Sequence, residues 1–191
     1  MGLLDAWFGR PDPMAAWKRE PGLVLTFDFG RNALCGVRIG DPVDWLSKLG
    51  PAEDARAARR DGRYCYYSKG LEVGAREGRV TSYLLVWGGS EDPRYRPFAG
   101  ACGYRGKSLP LSGDTREPEI VGYFGHPYWR DEDEEEILLF YEFEDLERQV
   151  ELTPQGSLKA VSIVTPPILA EEGQRRAYRV TRAWPPRAQL R

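Results

Sequence analysis

From Leu23 onward, apolar and polar residues alternate over short stretches broken by Gly, Pro, Asn or Asp, the period of half-buried strands. LVLTF, a DFGRN turn and ALCGVRI predict a hairpin. RYCYY, LEVGA, a REG turn and RVTSYLLVW predict an antiparallel meander that ends at Trp87. Between them lies DPVDWLSKLGP. There Asp41 is placed to cap a helix and Pro42 to open it, while Val43, Leu46 and Leu49 form its apolar stripe and Gly50 with Pro51 ends it. AEDARAARRDGR, from Ala52, has helical composition without such a stripe and predicts a solvated helix or loop.

GGSEDPRYRP is a linker by composition, and after it the order recurs. GACGYRG, Gly100 to Gly106, reads as a hairpin. IVGYFGHP matches WLSKLGP, and LLFYEFEDLERQVELTPQGSLKAVSIV matches the first meander. Gly50 aligns with Gly125, Tyr67 with Tyr141, Gly78 with Gly156 and Val80 with Leu158, at nearly constant separation. The expected fold is therefore α+β, built from two pseudo-duplicated units. Each unit is a hairpin, a short helix with a Gly-Pro or Gly-His-Pro stop, a charged loop and a meander of about three strands. Neither has helix enough to cover its sheet, so the two should pack as one body. The expected boundaries are 21–90 and 95–167, with an N-terminal helix and linker over 1–20 and a C-terminal segment over 168–191.

At the N-terminus, Leu3, Leu4, Trp7 and Phe8 share one side of a short helix that Pro11 and Pro13 stop, and the expectation is docking on its own domain. Near the C-terminus, RAYRVTRAW places Tyr178, Val180, Arg182 and Trp184 on one face if extended, predicting an edge strand protected by its arginines.

Composition narrows the function classes. The chain of 191 residues is 41% hydrophobic with six Trp and ten Tyr, enough material for a core. The net charge of -2 argues against a nucleic-acid binder. Charge is segregated: Asp131 to Glu151 holds eleven acids and one base, whereas Arg175 to Arg191 holds six arginines and no acid. Cys35, Cys65 and Cys102 are widely spaced and His126 is the single histidine, so no metal or other cofactor is expected. The start lacks a secretory pattern and no stretch is long enough to span a bilayer, which predicts a cytoplasmic protein with reduced thiols.

Catalysis is not expected. His126 sits in a Gly-His-Pro stop, no GxSxG occurs, and the glycines near Gly100 lack a phosphate-loop spacing. A buried carboxylate pair is what an enzyme reading would require. The distinctive segment is WRDEDEEEILLFYEF, Trp129 to Phe143. Its acids, Asp131, Glu132, Asp133, Glu134, Glu135 and Glu136, are read either as a solvated surface crossing or as an acidic lip. The lip would steer a basic partner while Tyr128 and Trp129 pack against it, and Tyr64 and Tyr66 occupy the corresponding place in the first unit.

A short helix ending in LGP or FGHP, then FYEF, then a hairpin closed by Gly resembles the small α+β module of the SmpA/OmlA envelope lipoproteins. Two such modules in tandem resemble the β-lactamase inhibitor protein family. The matching residues are Gly125, Pro127, Tyr141, Phe143 and Gly156, with the first half looser and carrying an extra leading hairpin. Unlike those families, this sequence shows neither a lipidated cysteine nor an even cysteine set. The resemblance implies a binding scaffold with no chemistry of its own. General character adds a likeness to bacterial toxin-immunity proteins. The expected function is thus a non-catalytic inhibitor that occludes a toxin's basic cleft. The alternatives are an assembly module of an envelope or secretion system and a small-molecule enzyme using buried carboxylates.

Overall fold

The computed structural model describes residues 14–90, 92–143 and 145–185. The helix expected at Leu3, Leu4, Trp7 and Phe8 lies outside them. Strands β1 (Thr26–Asp28), β2 (Ala33–Leu34), β3 (Val37–Arg38), β7 (Ala101–Tyr104) and β8 (Lys107–Leu109) form a five-stranded sheet ordered β3-β2-β1-β7-β8. A seven-stranded antiparallel sheet holds β4 (Arg63–Tyr66), β5 (Leu71–Arg76), β6 (Arg79–Val86), β9 (Trp129–Glu132), β10 (Ile137–Phe143), β11 (Leu146–Leu152) and β12 (Leu158–Val164). Its order is β4-β5-β6-β12-β11-β10-β9. The helices are short: 3-10 helices at Val43–Leu49, Tyr67–Lys69 and Ile168–Ala170, and α1 (Ala55–Asp61), α2 (Glu117–Phe124) and α3 (Glu172–Ala177).

Local chemistry explains the helix ends. Asp54 caps α1 by accepting the Ala57 N–H at 2.9 Å, and Gly62 ends it in the left-handed region. The stripe Val43, Leu46 and Leu49 is buried as its spacing predicts, but as a 3-10 helix.

Several hydrogen bonds recur at equivalent places in the two units. Val43 N–H donates to Gly78 O at 2.9 Å, and Glu117 N–H donates to Gly156 O at 3.2 Å. Val80 N–H donates to Asp41 O at 3.0 Å, and Leu158 N–H to Thr115 O at 2.9 Å. The Tyr66 hydroxyl donates to Gly50 O and the Tyr141 hydroxyl to Gly125 O, each at 3.1 Å. Tyr66, rather than Tyr67, is therefore the counterpart of Tyr141. Both units also own a leading hairpin: Phe27 faces Leu34 in β1–β2, and Cys102 faces Leu109 in β7–β8. The hairpin is not an extra of the first half.

The equivalence is symmetric inside each sheet. β1 pairs with β7 in parallel so that Thr26, Phe27 and Asp28 face Ala101, Cys102 and Gly103. In the large sheet Leu84 of β6 faces Ser162 of β12, with Tyr83–Ile163 on one side and Leu85–Val161 on the other. β5 bulges at Gly74/Ala75 and β11 at Glu151/Leu152. One core joins the sheets: the Phe27 and Tyr83 rings meet edge to face at 5.3 Å, and the Tyr83 hydroxyl donates to Val37 O at 2.7 Å.

Three local expectations are corrected. ALCGVRI is not one strand, because Cys35 (φ 47) and Gly36 (φ 83) make a two-residue turn between β2 and β3. The acidic run is not a loop crossing but the hairpin β9–β10, with Ile137–Glu132 through Phe140–Trp129 paired. RAYRVTRAW is not an edge strand. Tyr178 N–H closes on Gln174 O, Val180 N–H closes on Arg175 O, and Arg179 takes φ 52. Tyr178, Val180 and Trp184 instead pack over Tyr128, Leu138, Phe140 and Leu169.

Candidate functional site

Register fixes what the large sheet presents on the face away from the small sheet. One row crosses all seven strands: Cys65, Glu72, Leu84, Ser162, Gln149, Phe140 and Trp129. A second crosses Gly74, Ser82, Val164, Glu147 and Glu142, and a third Val86, Ala160, Glu151, Leu138 and Asp131. The C-terminal segment covers the β10 end of these rows, where Leu138, Phe140, Glu142 and Glu147 are buried. The centre stays half-exposed at Ser82, Leu84, Gln149 and Ser162. Beside it lies a groove of about 400 Å³ bounded by Gly88, Gly89, Asp92, Glu136, Glu151 and Lys159.

The acidic hairpin forms one rim of this face. Asp133 Oδ1 accepts the Glu135 and Glu136 N–H groups at 2.8 and 2.9 Å, which builds the turn and holds its carboxyl below the usual range. Glu136 and Glu151 both pair with Lys159, and Glu132 pairs with Arg130, which also binds Glu117 at 2.8 Å. Glu134 and Glu135 are exposed and carry no ion pair among the described residues. β9 is an edge strand, so Asp131 and Glu132 also discourage further strand pairing.

The aromatic residues expected to anchor a partner have other work. Tyr128 is 4% exposed, and its hydroxyl lies at 3.2 and 3.1 Å from the carbonyls of Arg182 and Ala183. Trp129 is half-buried and donates its indole N–H to Tyr178 O at 2.9 Å. Both hold down the C-terminal segment. Tyr64 stacks on Trp17 at 5.4 Å and Tyr66 is sealed in the core. The neighbouring Cys65 and Tyr67 are buried as well, so this stretch presents no exposed aromatic side chain. Tyr95 closes the outer side there, donating its hydroxyl to Glu72 at 2.6 Å, while Arg63 grips the same carboxylate. The expected aromatic groove is therefore absent from these positions.

Sequence reading missed a buried charged cluster on the β10–β11 hairpin. Glu142 and Glu147 face each other across the two strands, each 0% exposed. Glu147 Oε2 accepts the Leu169 N–H at 3.0 Å, while Glu147 Oε1 and both Glu142 oxygens lack partners among the described residues. Burial pushes the Glu142 carboxyl up to about 9 and raises Glu147 as well, so the pair carries at least one proton at neutral pH. It is sealed beneath the C-terminal segment and lines neither cavity.

Arg148, the next residue, points to the opposite face, into the space between the sheets. There Phe29, Gly30, Arg31, Asn32, Arg38, Tyr104, Arg105, Phe143, Asp145, Arg148 and Thr165 line a cavity of about 560 Å³ together with Ile39 and Leu146. Arg148 is 1% exposed, with rings of Phe29, Tyr104, Phe124 and Phe143 at 4.5–5.7 Å from its guanidinium carbon. Burial lowers it to about 10, which still leaves it charged at neutral pH.

Among the described residues no group of three or more His, Cys, Asp or Glu could hold a metal ion, and no helix is long and apolar enough to cross a membrane. Burial raises the thiols of Cys65 and Cys102, the latter to about 12.

No protein-family model matches the chain, and no curated protein matches it. Among solved structures it is similar to YjgB, a DUF4309 family protein from Bacillus subtilis subsp. subtilis str. 168. That likeness has 12% identity and a TM-score of 0.46, over 68% of this chain and 82% of the other.

Proposed function

We propose that this chain is a non-catalytic binding protein that receives a basic protein partner on the outer face of its seven-stranded sheet and inhibits it by occlusion, as a cytoplasmic toxin-immunity protein would. The observation that carries the reading is the uncovered centre of that face, Ser82, Leu84, Gln149 and Ser162, contributed by both units and rimmed by the acidic hairpin. The leucine offers an apolar contact, the serines and glutamine around it can hydrogen-bond a partner that covers them, and the hairpin charges speed association with a basic surface. The anchor in this arrangement is Leu84, since Tyr128 and Trp129 are already engaged.

The test is a capture from the native cell with Ser162→Arg and with a variant carrying Asn or Ser at Asp131, Glu132, Glu134 and Glu135. A partner should be captured by wild type in a salt-sensitive way, lost with S162R and weakened by the acid replacements. Equal capture by all three, insensitive to salt, would refute the reading.

A second reading, a carboxylate-based enzyme, draws on the raised Glu142–Glu147 pair. It requires the C-terminal segment to leave, so turnover of any substrate by a chain ending at Val164 and not by the whole chain would favour it.

A further inference from the structure

We propose that the cavity between the sheets is a binding site for a small organic anion, a carboxylate or phosphate monoester, whose charged group pairs with Arg148.

The guanidinium is anchored through one nitrogen and buried with its other two unpartnered. Nη2 donates to Phe29 O at 2.5 Å and to Asn32 Oδ1 at 3.2 Å. Nε and Nη1 have no hydrogen-bond partner, and no ion pair to Arg148 exists among the described residues. Removing a cation from water is costly, and a partner acid or a ring of acceptors normally offsets it. Here aromatic faces offset part of it, and the donors that remain point to an acceptor from outside the chain.

The fold does not require arginine at this place. Tyr66 pairs with Leu71 and Leu71 with Leu85, while Tyr141 pairs with Arg148 and Arg148 with Ile163. Arg148 therefore occupies in the second unit the position Leu71 holds in the first, and Leu71 is 0% exposed. A leucine satisfies that position; the arginine is an addition the packing alone does not explain.

The surroundings name the ligand class. Arg31, Arg38 and Arg105 line the same cavity with one acid, Asp145, and even with Arg31 paired to Asp28 at 3.8 Å the described lining keeps an excess of positive charge. The half-buried Tyr104 and Phe143 line the cavity to flank an apolar or planar body, and Asn32 and Thr165 offer polar contacts. A volume of about 560 Å³ suits a small organic molecule better than a bare ion.

The experiment is titration calorimetry of the whole chain with phenyl phosphate, benzoate and inorganic phosphate, at ionic strength fixed with sodium chloride. Wild type should bind phenyl phosphate or benzoate, and the stronger of the two identifies the headgroup. Arg148→Leu should fold, since Leu71 shows the position accepts leucine, and should lose at least tenfold in affinity. Arg105→Ser, at an exposed turn, should keep the fold and weaken binding severalfold, and it decides the matter if R148L does not fold. No binding of either organic anion by wild type, inorganic phosphate binding alone, or unchanged affinity in the variants overturns the proposal. Partner capture on the outer face is read separately, so the two ideas can fail independently.

Discussion

Replacing Glu142 by Gln removes an ionisable group from a place where charge is disfavoured, and the outcome should depend on pH in one direction. The ordinary carboxyl value is 4.5 and that of folded Glu142 is about 9. Between those values the folded chain keeps a proton that the unfolded chain has released. Stability from this group is thus fully present below pH 4.5 and lost as pH rises toward 9, by about 1.4 kcal/mol per pH unit. From pH 5 to 8 wild type should therefore lose stability that E142Q retains, Glu147, its carboxyl raised as well, being the pair's other titrating member in both proteins. Water entry and movement of the C-terminal segment would reduce that loss. Glu151, also raised, and Asp54 and Glu72, both lowered, titrate in both proteins and cancel in the difference. The assay is urea unfolding followed by far-UV circular dichroism at half-unit pH steps. E142Q should gain on wild type steadily as pH rises, with a melting temperature about 2–4 °C higher for each kcal/mol. Parallel curves across pH 5 to 8 would show that Glu142 titrates normally, and the account of a sealed pair would be wrong.

Two further perturbations test the duplication and the tight approaches it uses. Tyr66→Phe and Tyr141→Phe remove equivalent hydrogen bonds to Gly50 O and Gly125 O, so each should cost about 1 kcal/mol in urea unfolding; a negligible cost for one and a large cost for the other would contradict their equivalence. Gly70→Ala and Gly78→Ala share a positive φ, 63 and 74, but a Cβ at Gly70 would strike Arg96 O and Phe98 N while one at Gly78 meets open space. The first should cost at least ~3 kcal/mol and the second about 1, and similar losses would refute the close approach at Gly70.

The sequence carried the repeat because turn and stop positions admit few residues. Glycines at positive φ after each short helix and in each meander turn are readable as letters, and Gly50, Gly78, Gly125 and Gly156 set the frame correctly. Tyr66 escaped because RYCYY offers three tyrosines and only the hydroxyl contact with Gly50 tells them apart. The C-terminal segment misled for a physical reason. Its alternation of Tyr178, Val180 and Trp184 satisfies a strand face, but the adjacent sheet offered an uncovered apolar patch at Leu138 and Phe140, and tertiary packing won. The acids drew attention by their density, yet several of them serve the hairpin turn, its ion pairs and the edge strand. Arg148 was hidden in plain view: it is the single base within an acidic stretch, and no local pattern says that a strand's alternation turns it inward.

Comparison of the two units then separates what the fold demands from what was added to it. Backbone contacts around Gly78 and Gly156, the paired hydroxyls of Tyr66 and Tyr141, and the two bulges recur because each unit needs them to close its meander on its helix. At two equivalent buried or half-buried positions the copies differ in charge: Leu71 against Arg148, and Glu72, which holds Arg63 and Tyr95, against Gln149. The second unit also extends its hairpin past the counterpart of Tyr66 to include Glu142 and Phe143, which places a carboxylate pair on one face and a cavity wall on the other. One sheet thus carries two chemically unlike surfaces back to back. An arginine sealed among rings with donors to spare is the feature least expected of a scaffold alone, and R148L is the substitution whose neutral result would return this chain to being only that.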